Sequence, residues 1–374
     1  MATYDVTRLP NGLTVATAAM PHMASVSLGL WVGIGGRHED AAQNGIGHFL
    51  EHLLFKGTGR RSARQISQAV EGIGGYLNAF TGEESTCFYS RARHDRLGEL
   101  LDVLMDMLLN SRLAAEDVTK EREVIKEELA MYLDQPQHRV QELLNAALWP
   151  DHPLGRPLTG TPETLDGLDR GQLRAYLRAH YVAPATAVVA AGRVTHRQLL
   201  RAVRPFASRL PFGQTPTMSP AAIVQKRPAV RCFTQAVEQS QLALGFRTGS
   251  RHDPRRYALR LLNTILGENM SSRLFQVLRE DRGLAYSVYS SLSAFADTGA
   301  LVISAGLDPV KLRPADRLVL AEVRRLTREL VDPAEFRRAR DYVLGQMDLS
   351  LESPDHHMFW VGEQLLGYVH VWKP

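Results

Sequence analysis

Gly45-Ile46-Gly47-His48-Phe49-Leu50-Glu51-His52-Leu53-Leu54 places two imidazoles and a carboxylate at positions i, i+3 and i+4, so that all three fall on one face of a helix. Paired neutral imidazoles can hold Zn²⁺, and a carboxylate one turn away can take a proton from metal-bound water. The order H-x-x-E-H is the inverted form of a zinc-site motif. On an exposed helix the same residues would be three solvated polar side chains, so a third ligand is needed.

A second helix, expected from Asp117 to Leu133, offers Glu121, Glu123, Glu127 and Glu128. Periodicity divides them. Val118, Glu121, Ile125, Glu128 and Tyr132 are spaced 3, 4, 3 and 4, which sets Glu121 and Glu128 on the apolar stripe. Glu123 and Glu127 point elsewhere, near Lys120 and Lys126, and read as a solvated charged face. A carboxylate facing a core is costly unless it is paired or binds metal, so the inward pair needs an explanation.

With these residues in view, the chain resembles the M16 (pitrilysin-like) zinc metallopeptidases, especially short bacterial members related to the mitochondrial processing peptidase. The resemblance rests on Leu9-Pro10-Asn11-Gly12-Leu13, the segment Gly45 to Thr58 (GIGHFLEHLLFKGT), Gly74-Gly75-Tyr76-Leu77-Asn78-Ala79 and the segment Glu121 to Glu128. It implies that the third ligand is the glutamate 76 residues beyond the second histidine, which is Glu128 here, and that Glu121 stands behind the ligands. The implied fold is α/β of the α+β sandwich type. It consists of two homologous units, each a mainly antiparallel sheet with helices, facing each other across a chamber.

Composition agrees with a globular chain of this kind. The 374 residues are 44% hydrophobic, enough for two or three domains. The net charge of +4 comes from scattered arginines without a basic run, which argues against a nucleic-acid partner. Cys87 and Cys232 have no C-x-x-C spacing, so neither a disulfide framework nor a thiolate zinc site is indicated, and both read as small buried residues. Met1 to Met20 lacks a basic segment followed by an apolar one, and no stretch reaches membrane-spanning length. The expectation is a soluble, cytoplasmic protein with no membrane partner.

Along the chain, Asn11-Gly12 signals a hairpin and Ser25 to Gly33 a strand. Helices are expected over Ser62 to Gly72, Asp95 to Leu109 and Arg139 to Leu148, and a hairpin over Tyr76 to Ser90. Thr186 to Ala191 reads as a strand closing the first unit, and His152 beside Pro153 as a loop residue. Pro211 to Pro228 has four prolines and reads as a linker. The expected domains are therefore 1–210, carrying the zinc site, a linker at 211–228, and 229–374.

The third segment repeats the first. Leu242 to Asp253 (LALGFRTGSRHD) echoes Leu28 to Asp40 (LGLWVGIGGRHED), with Arg251-His252 offset by 214 from Arg37-His38. At that offset His48, Glu51 and His52 fall on Leu262, Ile265 and Leu266, so the second copy is degenerate and binds no metal. Aligning Pro354 with Pro136 places Gln346 opposite Glu128. Only 20 residues follow Pro354, so this second unit is expected to be C-terminally truncated.

Met270 to Val288 matches the family's second-half signature, which implies that Arg279 and Tyr286 reach toward substrate. Asn78, Ala79, Phe80 and Thr81 are implied as the edge along which a peptide substrate binds as an added strand. The expectation is a zinc metalloendopeptidase with one Zn²⁺ per chain on His48, His52 and Glu128, with Glu51 as general base and Tyr286 and Arg279 assisting. The partners expected are peptide substrates and a second copy or homologous subunit, as homodimer or heterodimer. The alternatives are a processing peptidase for a peptide-derived product, working with a homologous partner, and a non-catalytic scaffold subunit.

Overall fold

The computed structural model describes residues 2–222, 224–368 and 370–372. The chain opens on a hairpin, β1 (Thr3–Arg8) and β2 (Thr14–Ala19), whose turn at Asn11-Gly12 uses a glycine with φ of 92°. β3 (Ser25–Val32) leads into the helix bearing the H-x-x-E-H residues, α1 (Ile46–Leu54), and then α2 (Ala63–Glu71). A second hairpin, β4 (Tyr76–Thr81) and β5 (Thr86–Arg93), precedes α3 (Leu97–Asn110), α4 (Ala115–Leu133), α5 (Pro136–Leu148), α6 (Pro162–Gly167) and α7 (Arg170–His180). β6 (Thr186–Gly192) and α8 (His196–Ala207) follow.

These six strands form one sheet in the order β1-β2-β6-β3-β5-β4. All pairs are antiparallel except β2 with β6. The strand expected over Thr186 to Ala191 is present as β6, inserted between β2 and β3, and all seven of its residues are buried. β3 is buried on both faces. Leu28, Leu30 and Val32 join the core beneath α1 and α3, whereas Trp31 points into a second cluster with Met358 and Val361.

The later part builds a smaller sheet. β7 (Ser240–Thr248), α9 (Arg256–Asn263), β8 (Ala285–Ala294) and β9 (Gly299–Leu307) are followed by α10 (Leu312–Arg328), α11 (Pro333–Ser350) and α12 (Pro354–Tyr368). The described strands pair antiparallel in the order β7-β9-β8. Residues 211–222 and 224–238 contain no helix or strand.

The chain divides into two compact units, and the division is not sequential. Residues 130–155 group with 220–349, and residues 350–374 group with 1–129 and 156–219. α5 therefore packs on β7, while α12 packs on β2, β3 and β6. Each of these helices begins with a proline in its first turn and follows a long helix, and each groups with the unit built mainly from the other half of the chain. A soft sequence match at Pro136 and Pro354 could not show that grouping.

Glycines permit both approaches. A Cβ on Gly362 would lie 2.1 Å from the Trp31 ring, and one on Gly29 would lie 2.3 Å from Met358 Sδ. On β7, a Cβ on Gly245 would come within 2.9 Å of Leu144 and Leu148.

Candidate metal centre

α1 is amphipathic in a way that fixes what its polar face presents. Ile46, Phe49, Leu50 and Leu53 are buried against the core, leaving His48, Glu51 and His52 half-buried on the opposite side. α4 repeats the pattern: Val118, Ile125 and Leu129 are buried, Glu121 is 5% exposed, and Glu128 is half-buried beside them. Glu123 and Glu127 are exposed, as the spacing predicts.

The two helices bring three donors together. Glu128 Oε2 lies 3.5 Å from His52 Nε2 and 3.9 Å from His48 Nε2. One donor atom from each of His48, His52 and Glu128 can be chosen so that all lie within 4.8 Å of one another. Zinc bonds of about 2.0–2.1 Å in a tetrahedron separate ligand atoms by roughly 3.3 Å, so the set closes on an ion with a contraction of up to about 1.5 Å. Two imidazoles and one carboxylate, with no cysteine, are also the donor chemistry of a catalytic rather than a structural zinc site. The residues fit Zn²⁺.

Surrounding groups orient this set. His52 Nδ1 lies 3.3 Å from Glu121 Oε2, and Glu121 Oε1 accepts from Lys56 Nζ at 2.8 Å. The carboxylate behind His52 favours a proton on Nδ1 and leaves the Nε2 lone pair directed toward Glu128 and His48. Burial, helped by the neighbouring His52, lowers the His48 pKa to about 4, which keeps that ring neutral. Burial raises the Glu51 carboxyl above its ordinary value, opposed by the Thr81 hydroxyl, which donates to Glu51 Oε2 at 2.6 Å.

Thr81 ends β4, one of the two edge strands of the six-stranded sheet, which also carries Asn78, Ala79 and Phe80. Ala79 donates its backbone N–H to Asn78 Oδ1 at 2.8 Å, so that edge donor is held locally. Arg279 and Tyr286 belong to the other unit. Arg279 stacks over the Phe275 ring at 4.9 Å, and Tyr286 on β8 is 75% exposed. The positions expected to match the metal residues are apolar, with Ile265 and Leu266 buried in a π-helical turn at Thr264–Glu268.

Some parts escaped the sequence reading. Lys56 was discoverable, since it lies four residues beyond His52. The Thr81 bond to Glu51 joins residues 30 positions apart and leaves no local signal. Cys87 is buried as expected, but Cys232 is exposed because the segment around it forms no helix or strand that could cover it.

Comparison with known proteins places these features in a family. Residues 14–162 match Insulinase (Peptidase family M16), and residues 167–343 match the Peptidase M16 inactive domain. An uncharacterized zinc protease of Mycobacterium tuberculosis is 41% identical over 365 residues, covering 97% of this chain and 83% of that protein. An uncharacterized zinc protease of Bacillus subtilis is 36% identical over 359 residues, covering 96% of this chain and 87% of that one. The chain belongs to peptidase family M16. A protease from Helicobacter pylori has the same fold at a TM-score of 0.92 with 20% identity, covering 98% of this chain and 90% of that one. A chain of Complex III2 from Candida albicans also shares it, at a TM-score of 0.84 with 21% identity, covering 99% of this chain and 87% of that one. No described helix is long and apolar enough to cross a membrane.

Glu121→Gln tests the orienting contact. The amide retains much of the shape and loses the charge that faces Lys56 and His52, so zinc affinity should fall by about 10–100-fold. Competition with a chromophoric chelator reads the change, and an unchanged affinity would mean that His52 does not depend on Glu121.

Proposed function

We propose that this chain is a zinc-dependent endopeptidase that hydrolyses extended peptides or unfolded segments. The observation that carries the reading is the convergence of His48, His52 and Glu128 beside Glu51. Zn²⁺ held by those three donors would supply a Lewis acid that acidifies water and polarises the scissile carbonyl.

Glu51 is the general base in this reading. Its carboxylate takes a proton from the attacking water and returns it to the leaving amine, a task helped by a proton affinity that burial has raised. The Thr81 hydroxyl holds Oε2 and leaves Oε1 for the transfer. Substrate adds to the sheet along Asn78, Ala79, Phe80 and Thr81, where an incoming carbonyl displaces Asn78 Oδ1 from the Ala79 N–H. Backbone pairing of this kind admits extended chains and rejects folded ones. Tyr286 and Arg279 are assigned to the oxyanion and the substrate backbone on the family signature.

A complete donor set favours an enzyme over a scaffold subunit. A homologous partner, as homodimer or heterodimer, and a role in processing a peptide-derived product remain within the proposal. Cleavage of an internally quenched peptide, abolished by chelation and restored by one equivalent of Zn²⁺, is the expected result; turnover that survives chelation would contradict it. Tyr286→Phe should lower kcat by up to about 10²–10³-fold with KM little changed and zinc content constant. An unaltered kcat would remove Tyr286 from the reaction.

A further inference from the structure

We infer that Glu39 is a positioning residue that seats the N-terminus of α1, and thereby sets where His48, Glu51 and His52 stand. The inference rests on the zinc-peptidase reading for its functional consequence and on geometry for the seating itself.

α1 begins without a cap of its own. Gly45 precedes it at φ of 95° and has no side chain to accept the helix's free amides. Glu39 supplies both acceptors from the preceding loop: Oε2 takes the Gly45 N–H at 2.7 Å and Oε1 takes the Gly47 N–H at 2.9 Å. Asn44 Nδ2 adds a weaker bond at 3.3 Å. The residue is 2% exposed, and burial raises its pKa to about 6, opposed by these same bonds. A carboxylate so enclosed is retained only where the amides it satisfies repay its desolvation.

Gly47 makes room for the Glu39 carboxylate, and Gly45 for the neighbouring Thr159–Gly160 backbone. A Cβ on Gly47 would lie 2.9 Å from Glu39 Oε1 and 3.5 Å from Thr81 Cγ2, and one on Gly45 would lie 2.7 Å from the Thr159 carbonyl. The loop that carries Glu39 is itself tied to the β4–β5 turn. Gly36 and Arg37 donate backbone N–H groups to the carbonyls of Gly82 and Glu83 at 3.1 and 2.7 Å, and Arg37 Nη1 donates to Glu84 at 2.6 Å. One short segment therefore fixes the helix that presents Glu51 and the hairpin whose Thr81 bonds to it. Glu39 touches no proposed ligand, so its effect is exerted through the helix.

The experiment compares wild type, Glu39→Gln, Glu39→Asp and Gly47→Ala by hydrogen exchange of the metal-free proteins and by zinc competition titration. In Glu39→Gln the new NH₂ group faces an N–H, so residues 45–54 should lose protection while β6 and α3 keep theirs. Zinc affinity should fall by about 10–100-fold, and kcat with it, while KM stays within about twofold. Glu39→Asp is one methylene short of both amides and should not rescue. Gly47→Ala should act as a second route to the same loss, and combining it with Glu39→Gln should add little. Unchanged protection at 45–54 in both variants, or a zinc affinity equal to wild type despite lost protection, overturns the inference. If wild type itself binds no zinc, the zinc-peptidase reading and the functional consequence fall together, while hydrogen exchange still decides the seating.

Discussion

Glu51→Gln is expected to keep its zinc and lose about 10²–10⁴-fold in kcat, the range a positioned general base supplies. The substitution preserves shape, and the amide oxygen can still accept from Thr81, so neither α1 nor the donors His48, His52 and Glu128 should move. What disappears is the group that receives a proton. Burial contributes on the same side, because it raises the proton affinity of Glu51 toward the working range, whereas an amide has none to raise. Metal analysis and turnover on one preparation separate the two effects. Near wild-type turnover would show that another group takes the proton, and loss of zinc would show that the variant disturbs the centre.

Glu128→Gln and Glu127→Gln should differ widely although the residues are neighbours in sequence. Glu128 places an oxygen 3.5 and 3.9 Å from the two histidine Nε2 atoms, while Glu127 is exposed on the other side of α4. A neutral amide oxygen is a poorer zinc ligand than a carboxylate, so Glu128→Gln should lose more affinity than the about 10–100-fold expected of an orienting contact. Glu127→Gln should bind as wild type. Equal losses would mean that the face of α4 had been assigned wrongly.

Sequence periodicity was informative wherever one helix had one buried face. The 3-4-3-4 spacing in α4 separated Glu121 and Glu128 from Glu123 and Glu127, and the structure sets the first pair toward α1 and the second toward solvent. Hairpins at Asn11-Gly12 and over Tyr76 to Ser90 were legible from turn residues. Topology was not legible in the same way. β6 inserts beside β3 by pairing with residues more than 150 positions away, and α12 covers Trp31 from more than 300 away. Neither pairing leaves a local pattern, and α12 packs on β3 and α5 on β7 across Gly362, Gly29 and Gly245, whose role appears only where a side chain of another element approaches. The centre divides along the same line. His48, Glu51 and His52 share one turn and are legible directly; spacing leaves Glu121 and Glu128 as candidates for a third donor, and the family resemblance implies Glu128. The Glu39 clasp and the Thr81 bond arise from loop and strand packing.

Crystals of the zinc-loaded protein, measured above and below the zinc absorption edge, test the central claim most directly. A single anomalous peak within about 2.0–2.2 Å of His48 Nε2, His52 Nε2 and a Glu128 carboxylate oxygen, with Glu51 beside it and outside bonding distance, is the result expected. A peak at any other cluster, or none in a preparation that cleaves peptide, would contradict it.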